Sequence, residues 1–472
     1  MTAIYDASQL REAIGESRAL VPLAREVLGE VIHDVTGKPP DMERLEFVSL
    51  FWLMQFCDRF IGHDKDVTSV APELQVRVAR ARRDVRAHLL SAVSGHGQVQ
   101  IVSSYLKIGL SRELSAALRA RGRLSWGRVD TLPTVLASFN EGTREALATG
   151  ATKASDVRSR LRCQIALSAP LALVEQHHEY AQWAATTHPS PFRLVYTANA
   201  HQNSFAFRYK TFAQRTSGLR LAIHQHGGGY GIDEQHLGED HDIALGDVFY
   251  TWGWSRSDLG RRVRAMPTAF PRRHRGKPSH GYLLMSLPVT SHLYRLQPFL
   301  LPSHVDRAVA ETVAFAGELT DGSDLCVRSS GSDAFPMNQL QGSRANITND
   351  DLREHGCVAA SRHRLVIHNY LGTSWLETLA TNIPTVCFYD PVIYRPRAAA
   401  QPFVDALAKV GVIHYSGIEA AKFVNGLNGD PSAWWQSAEV QEAREAFVAR
   451  YANFSENWLP AWIEEFERLL AE

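Results

Sequence analysis

Apolar residues recur along this chain at two different periods. Through Leu20, Val21, Leu23, Val27, Leu28, Val31 and Ile32, and again over 47–60, they fall three and four apart, the spacing of a single buried helix face. Residues 1 to about 92 therefore read as helical. After Ser94-Gly95-His96-Gly97 the texture changes to short, solid apolar runs. Strands are predicted over 99–102, 194–197, 219–223 and 248–252, with helices over 106–119 and about 203–216 and a mostly helical and loop-like stretch over 124–190. A second alternation places strands at 282–286, 325–328, 365–368, 385–389 and 412–414, and helices at about 303–318, 374–381 and 397–409. The tail from Ala420 is helical, with Trp434, Trp435, Phe447, Trp458, Trp462 and Phe466 as apolar anchors. Strand–helix–strand repetition with short apolar strands implies parallel sheets covered on both faces, an α/β fold.

A chain of 472 residues exceeds one ordinary domain. The basic, proline-containing stretch 261–278, with Arg272, Arg273, His274, Arg275 and Lys277, reads as the interdomain connection, either solvated or touching an anionic group that enters the cleft. The boundaries that follow are a helical region at 1–92, a first α/β domain at 93–265, a linker at 266–280, a second α/β domain at 281–430, and helices at 431–472. Fifty Lys and Arg balance fifty Asp and Glu, so no global field draws the chain to nucleic acid or membrane. The run Arg77, Arg80, Arg82, Arg83, Arg86 reads as a solvated helix face, with an anionic partner as the alternative; nucleic acid is disfavoured. Five scattered cysteines without a CxxC fit a reducing compartment. With no signal peptide and no apolar run of about 18 residues, the expected location is the cytoplasm.

Candidate chemistry gathers at two loops. His224-Gln225-His226-Gly227-Gly228-Gly229-Tyr230-Gly231 follows the strand at 219–223, and glycines there let the backbone turn sharply and approach a ligand closely. Ligands of open parallel sheets bind beyond the carboxyl ends of strands, where Asn199 and the Thr251-Trp252-Gly253-Trp254 turn also fall. Glu239, His241, Asp242 and Asp247 follow, making a general base or nucleophile plausible, with Glu239 the leading candidate. His224 and His226 have no third ligand at a telling position, so no metal is expected, and His226 is read as contacting substrate or phosphate. The second loop, Asn369-Tyr370-Leu371-Gly372-Thr373-Ser374, joins a strand to a helix. Its amides and hydroxyls suit a phosphate, and Glu377, one turn in, suits ribose hydroxyls; an N-capping Thr373 or Ser374 with Glu377 as its capping-box partner explains the same residues. Neither loop is a GxGxxG fingerprint or a Walker loop. Two such loops in two halves suggest one cleft lined from both sides.

Gln225-His226-Gly227-Gly228, Tyr230-Gly231, Glu239, His241, Asp247 and Thr251-Trp252-Gly253-Trp254 resemble a bacterial family of surface-polysaccharide transferases. So do Gly372-Thr373-Ser374, Leu376-Glu377-Thr378-Leu379-Ala380, Asn382-Ile383-Pro384-Thr385, Ser104-Tyr105-Leu106, and the tail residues Trp434, Trp435, Gln441, Arg444 and Phe447. The resemblance spans roughly 98–470. That family is similar to GT-B glycosyltransferases and, more distantly, to capsule-type Kdo transferases. The resemblance implies two Rossmann-like domains facing a cleft, at 93–265 and 281–430, with the nucleotide held mainly by the C-terminal one and the helices at 431–472 returning to the first. It also implies sugar transfer from a nucleotide-activated donor, with a CMP-ulosonic acid as first choice, to a cell-surface or lipid-linked glycan acceptor, at most peripherally at the inner face of the membrane.

In that reading Gly372, Thr373, Ser374, Glu377 and Arg328 hold the donor. Gly227, Gly228, Gly229, Tyr230 and Asn199 line the acceptor side, and Glu239, His226 or Asp242 acts as catalytic group. No cofactor beyond the nucleotide-sugar substrate is expected. The rivals are a CDP-alcohol polyol-phosphate transferase, a nucleotide-sugar epimerase, and a non-catalytic glycan- or nucleotide-binding protein.

Overall fold

The computed structural model describes residues 7–62, 98–104, 108–123, 138–149, 156–186, 192–270, 277–287, 289, 301, 304–329 and 335–472. The basic run at 77–86 and the cluster at 272–275 lie outside them. Among the described residues no helix is long and apolar enough to cross a membrane. The fold is α/β, with two sheets and flanking helices. The chain divides into two compact units, one gathering Ala13–His226, Asp240–Phe249 and Ile463–Glu472, the other Met1–Glu12, Gly227–Glu239 and Tyr250–Trp462.

In the first unit the period-3.6 pattern gives two long helices, Ala7–Thr36 and Met42–Gly62. Val27, Leu28, Val31 and Ile32 of one and Leu45, Val48 and Leu53 of the other are buried in a core shared with Leu161, Ile165 and Leu173. A buried ion pair lies beside that core. The Arg144 guanidinium donates through Nε to Glu175 Oε1 at 2.7 Å, through Nη1 to the carbonyls of Ala166 (3.0 Å) and Ala169 (2.7 Å), and through Nη2 to Glu175 Oε2.

The solid apolar runs form strands. β1 (Val99–Val102), β2 (Leu194–Thr197) and β3 (Arg220–His224) pair in parallel, Val99 opposite Leu194 and Leu194 opposite Arg220. With β4 (Val248–Thr251) and β5 (Val263–Ala265) they make a five-stranded sheet in the order β1-β2-β3-β4-β5, which steps one way without reversal. The end of the last helix, Trp458–Ala471, packs on this sheet: Phe466 meets the Tyr196 ring edge-on at 5.3 Å, and Arg220 donates to the Leu469 carbonyl at 3.1 Å.

The second unit holds a six-stranded sheet, all of whose pairings are parallel. Its strands are β6 (His280–Met285), β7 (Asp324–Arg328), β8 (Asn346–Asn349), β9 (His363–His368), β10 (Thr385–Phe388) and β11 (Ile413–His414). They lie in the order β11-β10-β9-β6-β7-β8. Counted from β6, that is the doubly wound order 3-2-1-4-5-6 read from its far edge, so the winding reverses between β6 and β9. The core on one face contains Leu284, Phe315, Leu325, Ile367, Val386 and Phe388.

The structure differs from the sequence pattern at several places. β5 lies inside the stretch read as a connection, and Met266 donates to the Thr251 carbonyl at 2.9 Å, because Val263 supplies a buried position between flanking arginines. β8 is polar and mostly exposed, an edge strand held by ladder bonds without an apolar signal. Residues 237–245 form a helix rather than a loop.

Replacing Arg144 with alanine strands the Glu175 carboxylate in a dry site. The expected loss is about 3–5 kcal/mol of unfolding free energy by urea titration, and a loss below about 1 kcal/mol would contradict the buried pair.

Candidate functional site

At the winding reversal, the segments that follow β6 and β9 lie side by side. Asn369, buried just past β9, accepts from the Leu287 amide through Oδ1 at 2.7 Å and donates to Thr312 Oγ1 at 3.0 Å, tying the two strand ends to the helix Val305–Glu318. Gly372 is the N-cap of the next helix, Thr373–Ala380. Because the cap is a glycine, Thr373 and Ser374 take the first two helical positions and not the cap position that the sequence suggested. Ser374 Oγ lies 3.5 Å from His368 Nδ1, and His368 Nε2 lies 3.1 Å from Thr378 Oγ1. Burial pushes His368 down to about 3, so its imidazole stays neutral near pH 7. Glu377 is half-buried one turn into the helix. A cavity opens alongside, lined by Leu287, Glu311, Tyr370, Tyr389, Ile393 and Tyr394.

The far end of this helix is held by the aromatic tail. Asn382, at φ +55°, stops it in the left-handed conformation, and its side-chain oxygen accepts from Trp435 Nε1 (2.7 Å) and Gln441 Nε2 (3.2 Å). Arg444 donates to the Leu379 carbonyl at 3.1 Å, placing a cation at the negative end of the helix dipole.

The glycine loop lies directly on the start of this helix, in the same unit. Gly228 donates its amide to Thr373 Oγ1 at 2.8 Å. A Cβ on Gly228 would stand 2.5 Å from the Gly372 carbonyl carbon and 2.7 Å from the Thr373 nitrogen, so only glycine fits. The loop is strapped to residues 394–397. Asp233 accepts from the Tyr394 hydroxyl, the Arg397 amide donates to the Ile232 carbonyl at 2.7 Å, and the Glu234 amide donates to the Arg395 carbonyl at 3.0 Å.

Glu239 completes that strap. Its carboxylate is buried, takes both terminal nitrogens of Arg397 at 3.0 Å each, and accepts from the Gly231 amide at 2.7 Å. A carboxylate engaged on three sides is a clamp and offers poor access to a substrate proton, which corrects its reading as base or nucleophile. Asp242 faces elsewhere: its Oδ1 is 2.6 Å from His201 Nε2 and 3.1 Å from His241 Nδ1. Burial alone would raise this carboxyl, but the His201 charge and hydrogen bonds outweigh it and hold Asp242 well below the usual range. Completely buried, it too is withdrawn from catalysis.

Other predicted site residues are also committed to the fold. Arg328 donates to Asp350 Oδ1 (2.8 Å) and the Glu354 carbonyl (2.7 Å), so its charge is already met. Asn199 accepts from the Ser103 hydroxyl. Tyr230 is buried against His236, ring centroids 4.2 Å apart, and does not line an open surface. Asp247 binds Arg215 and the Leu221 amide, both at 2.7 Å. His224 is buried beside the Tyr196 hydroxyl (3.0 Å), and burial, with His226 adding to it, pushes it down to about 3. His226 is half-buried, one residue before the loop. The structure thus brings together Gly227, Gly228, Gly372, Thr373 and Ser374.

The family model described as LIC12162 family transferase matches residues 54–466. The chain belongs to this transferase family. No curated protein matches it. Among solved structures, it is similar to the glycosyltransferase SnogD from Streptomyces nogalater, at 14% identity over 80% of this chain and 100% of that one, with a TM-score of 0.41. It is also similar to Acinetobacter baumannii MurG (11%, 79% and 99%, TM-score 0.39) and to the spinosyn rhamnosyltransferase SpnG complexed with thymidine diphosphate (14%, 78% and 100%, TM-score 0.37). These superpositions are loose.

Sequence reasoning missed the partners of the glycine loop in this LIC12162 family transferase. Tyr394 lies between predicted elements, and Arg397 falls where the pattern suggested the start of a helix that in fact begins at Gln401. Two substitutions separate the roles. Gly228→Ala should cost about 1–3 kcal/mol of stability through overpacking. Glu239→Ala should cost about 3–5 kcal/mol because it leaves Arg397 without its partner. Both are read by urea denaturation, and an unchanged midpoint for Glu239→Ala would return that residue to the catalytic candidates.

Proposed function

We propose that this transferase moves a glycosyl group from a nucleotide-activated donor to a glycan acceptor, with the donor phosphate at the start of the helix Thr373–Ala380. The observation that carries this reading is a helix N-terminus, free of a capping side chain, at the winding reversal of a 3-2-1-4-5-6 parallel sheet. First-turn amides and the positive helix end attract an anion there, and they stabilise negative charge as a nucleotide leaves. Glu377 accepts hydrogen bonds from the ribose hydroxyls.

In this reading the acceptor hydroxyl oxygen attacks the anomeric carbon. The bond from that carbon to the phosphate oxygen breaks, and the nucleotide departs with the electron pair. The hydroxyl proton passes to His226, the titratable group that immediately precedes the glycine loop. A CMP-activated ulosonic acid is the donor we favour, and a cell-surface glycan, assembled at the cytoplasmic face of the membrane, the acceptor.

A melting-temperature panel with CMP, CDP, UDP and GDP tests the donor side, since a ligand of the native state raises its melting point. One nucleotide should stabilise the protein. Glu377→Ala should weaken its binding about tenfold by calorimetry, equivalent to about 1.4 kcal/mol. Flat melting curves for all four, or wild-type affinity in Glu377→Ala, would contradict the assignment.

A further inference from the structure

A second constellation lies in the other unit. His201 sits in the short helix Ala200–Asn203 that follows β2, while His241 and Asp242 sit on the helix Leu237–Leu245 that precedes β4; all three side chains are fully buried. One ligating atom of each lies within 4.8 Å of the others. A single oxygen, Asp242 Oδ1, is shared by His201 Nε2 (2.6 Å), His241 Nδ1 (3.1 Å) and Gln202 Nε2 (2.9 Å). Meanwhile His201 Nδ1 and His241 Nε2, both buried, have no hydrogen-bond partner among the described residues. These are the ring nitrogens not engaged with Asp242; the facing pair, His201 Nε2 and His241 Nδ1, are the atoms that a shared ligand would meet. The imidazoles stack at 5.4 Å and 11°, and Phe51 packs 4.8 Å from His241 as an apolar wall.

We propose that His201, His241 and Asp242 hold one divalent transition-metal ion. Two imidazoles and a carboxylate form a borderline nitrogen–oxygen donor set, which suits Zn²⁺ and its first-row neighbours; Ca²⁺ and Mg²⁺ prefer oxygen ligands. Metal–ligand bonds of about 2.0–2.2 Å in tetrahedral geometry set ligand atoms about 3.4 Å apart, so Asp242 Oδ1 must draw back from His201 Nε2, now 2.6 Å away, as an ion replaces the hydrogen they share. Buried Arg208 is close enough to act on His241 and opposes a cation; the charge of Asp242 offsets it. The ion pins the segment after β2 to the helix before β4. Its role is to position that helix, whose first turns carry the Glu239 clamp.

The test uses the full chain, purified without a histidine tag and dialysed against chelator, then titrated with Zn²⁺ by calorimetry and thermal melting, with metal content read by mass spectrometry. One equivalent per chain is expected, with a melting temperature that rises with Zn²⁺ concentration. Asp242→Asn and His241→Asn should abolish both; the asparagine amide at 241 can still donate to Asp242, which keeps the fold intact, as circular dichroism checks. His280→Ala, which removes an exposed imidazole, should bind as wild type does. Absence of stoichiometric Zn²⁺, or binding that survives His241→Asn and is lost in His280→Ala, would overturn the proposal and leave a hydrogen-bonded cluster only.

Discussion

The candidate donor site depends on a contact with no room for a side chain. Gly228 lies against the Gly372–Thr373 peptide and gives its amide to the Thr373 hydroxyl. Any Cβ at residue 228 would push the two turns apart, and the first turn of the helix would lose the loop that covers its flank. Backbone against backbone brings the amides of two turns into one small region. That arrangement suits an anion whose several oxygens must be met without many charged side chains.

Around this contact the chain spends its charges on holding rather than on reacting. Arg397 and Glu239 pair across the loop, and Arg397 also lies 5.9 Å from the Trp254 ring, where the guanidinium meets an aromatic face. At the other end of the helix, Arg444, Trp435 and Gln441 hold its C-terminus. The helix is thus fixed at both ends by residues more than fifty positions away in sequence. A phosphate site gains from such rigidity, because its donors are in place before the ligand arrives.

Much of the fold was legible because most strands of both sheets have short apolar cores, such as Leu194–Thr197 and Thr385–Phe388, and that signal needs no tertiary context. β8 escaped because an edge strand with sequence Asn-Ile-Thr-Asn carries almost no hydrophobic pattern. The site was legible in its glycines. Gly227, Gly228 and Gly372 mark the contact, and backbone proximity is something only glycine records in sequence. Roles of charged residues were not legible: Glu239, Asp242 and Arg328 look like catalytic or phosphate-binding groups until their partners are known, and Arg397 is 158 positions from Glu239. His201, forty residues before the His241–Asp242 pair, was hidden for the same reason. A carboxylate's partners decide whether it reacts or holds, and those partners come from the tertiary fold.

In the proposed function, Gly227 and Gly228 and the turn at 372–374 form one anion-receiving surface. Amide hydrogen–deuterium exchange, measured with and without the nucleotide that stabilises the protein, addresses it most directly. Peptides covering 225–233 and 369–377 are expected to gain protection together. Protection confined to other segments, such as the carboxyl ends of β1 to β3, with both turns unchanged, would contradict it.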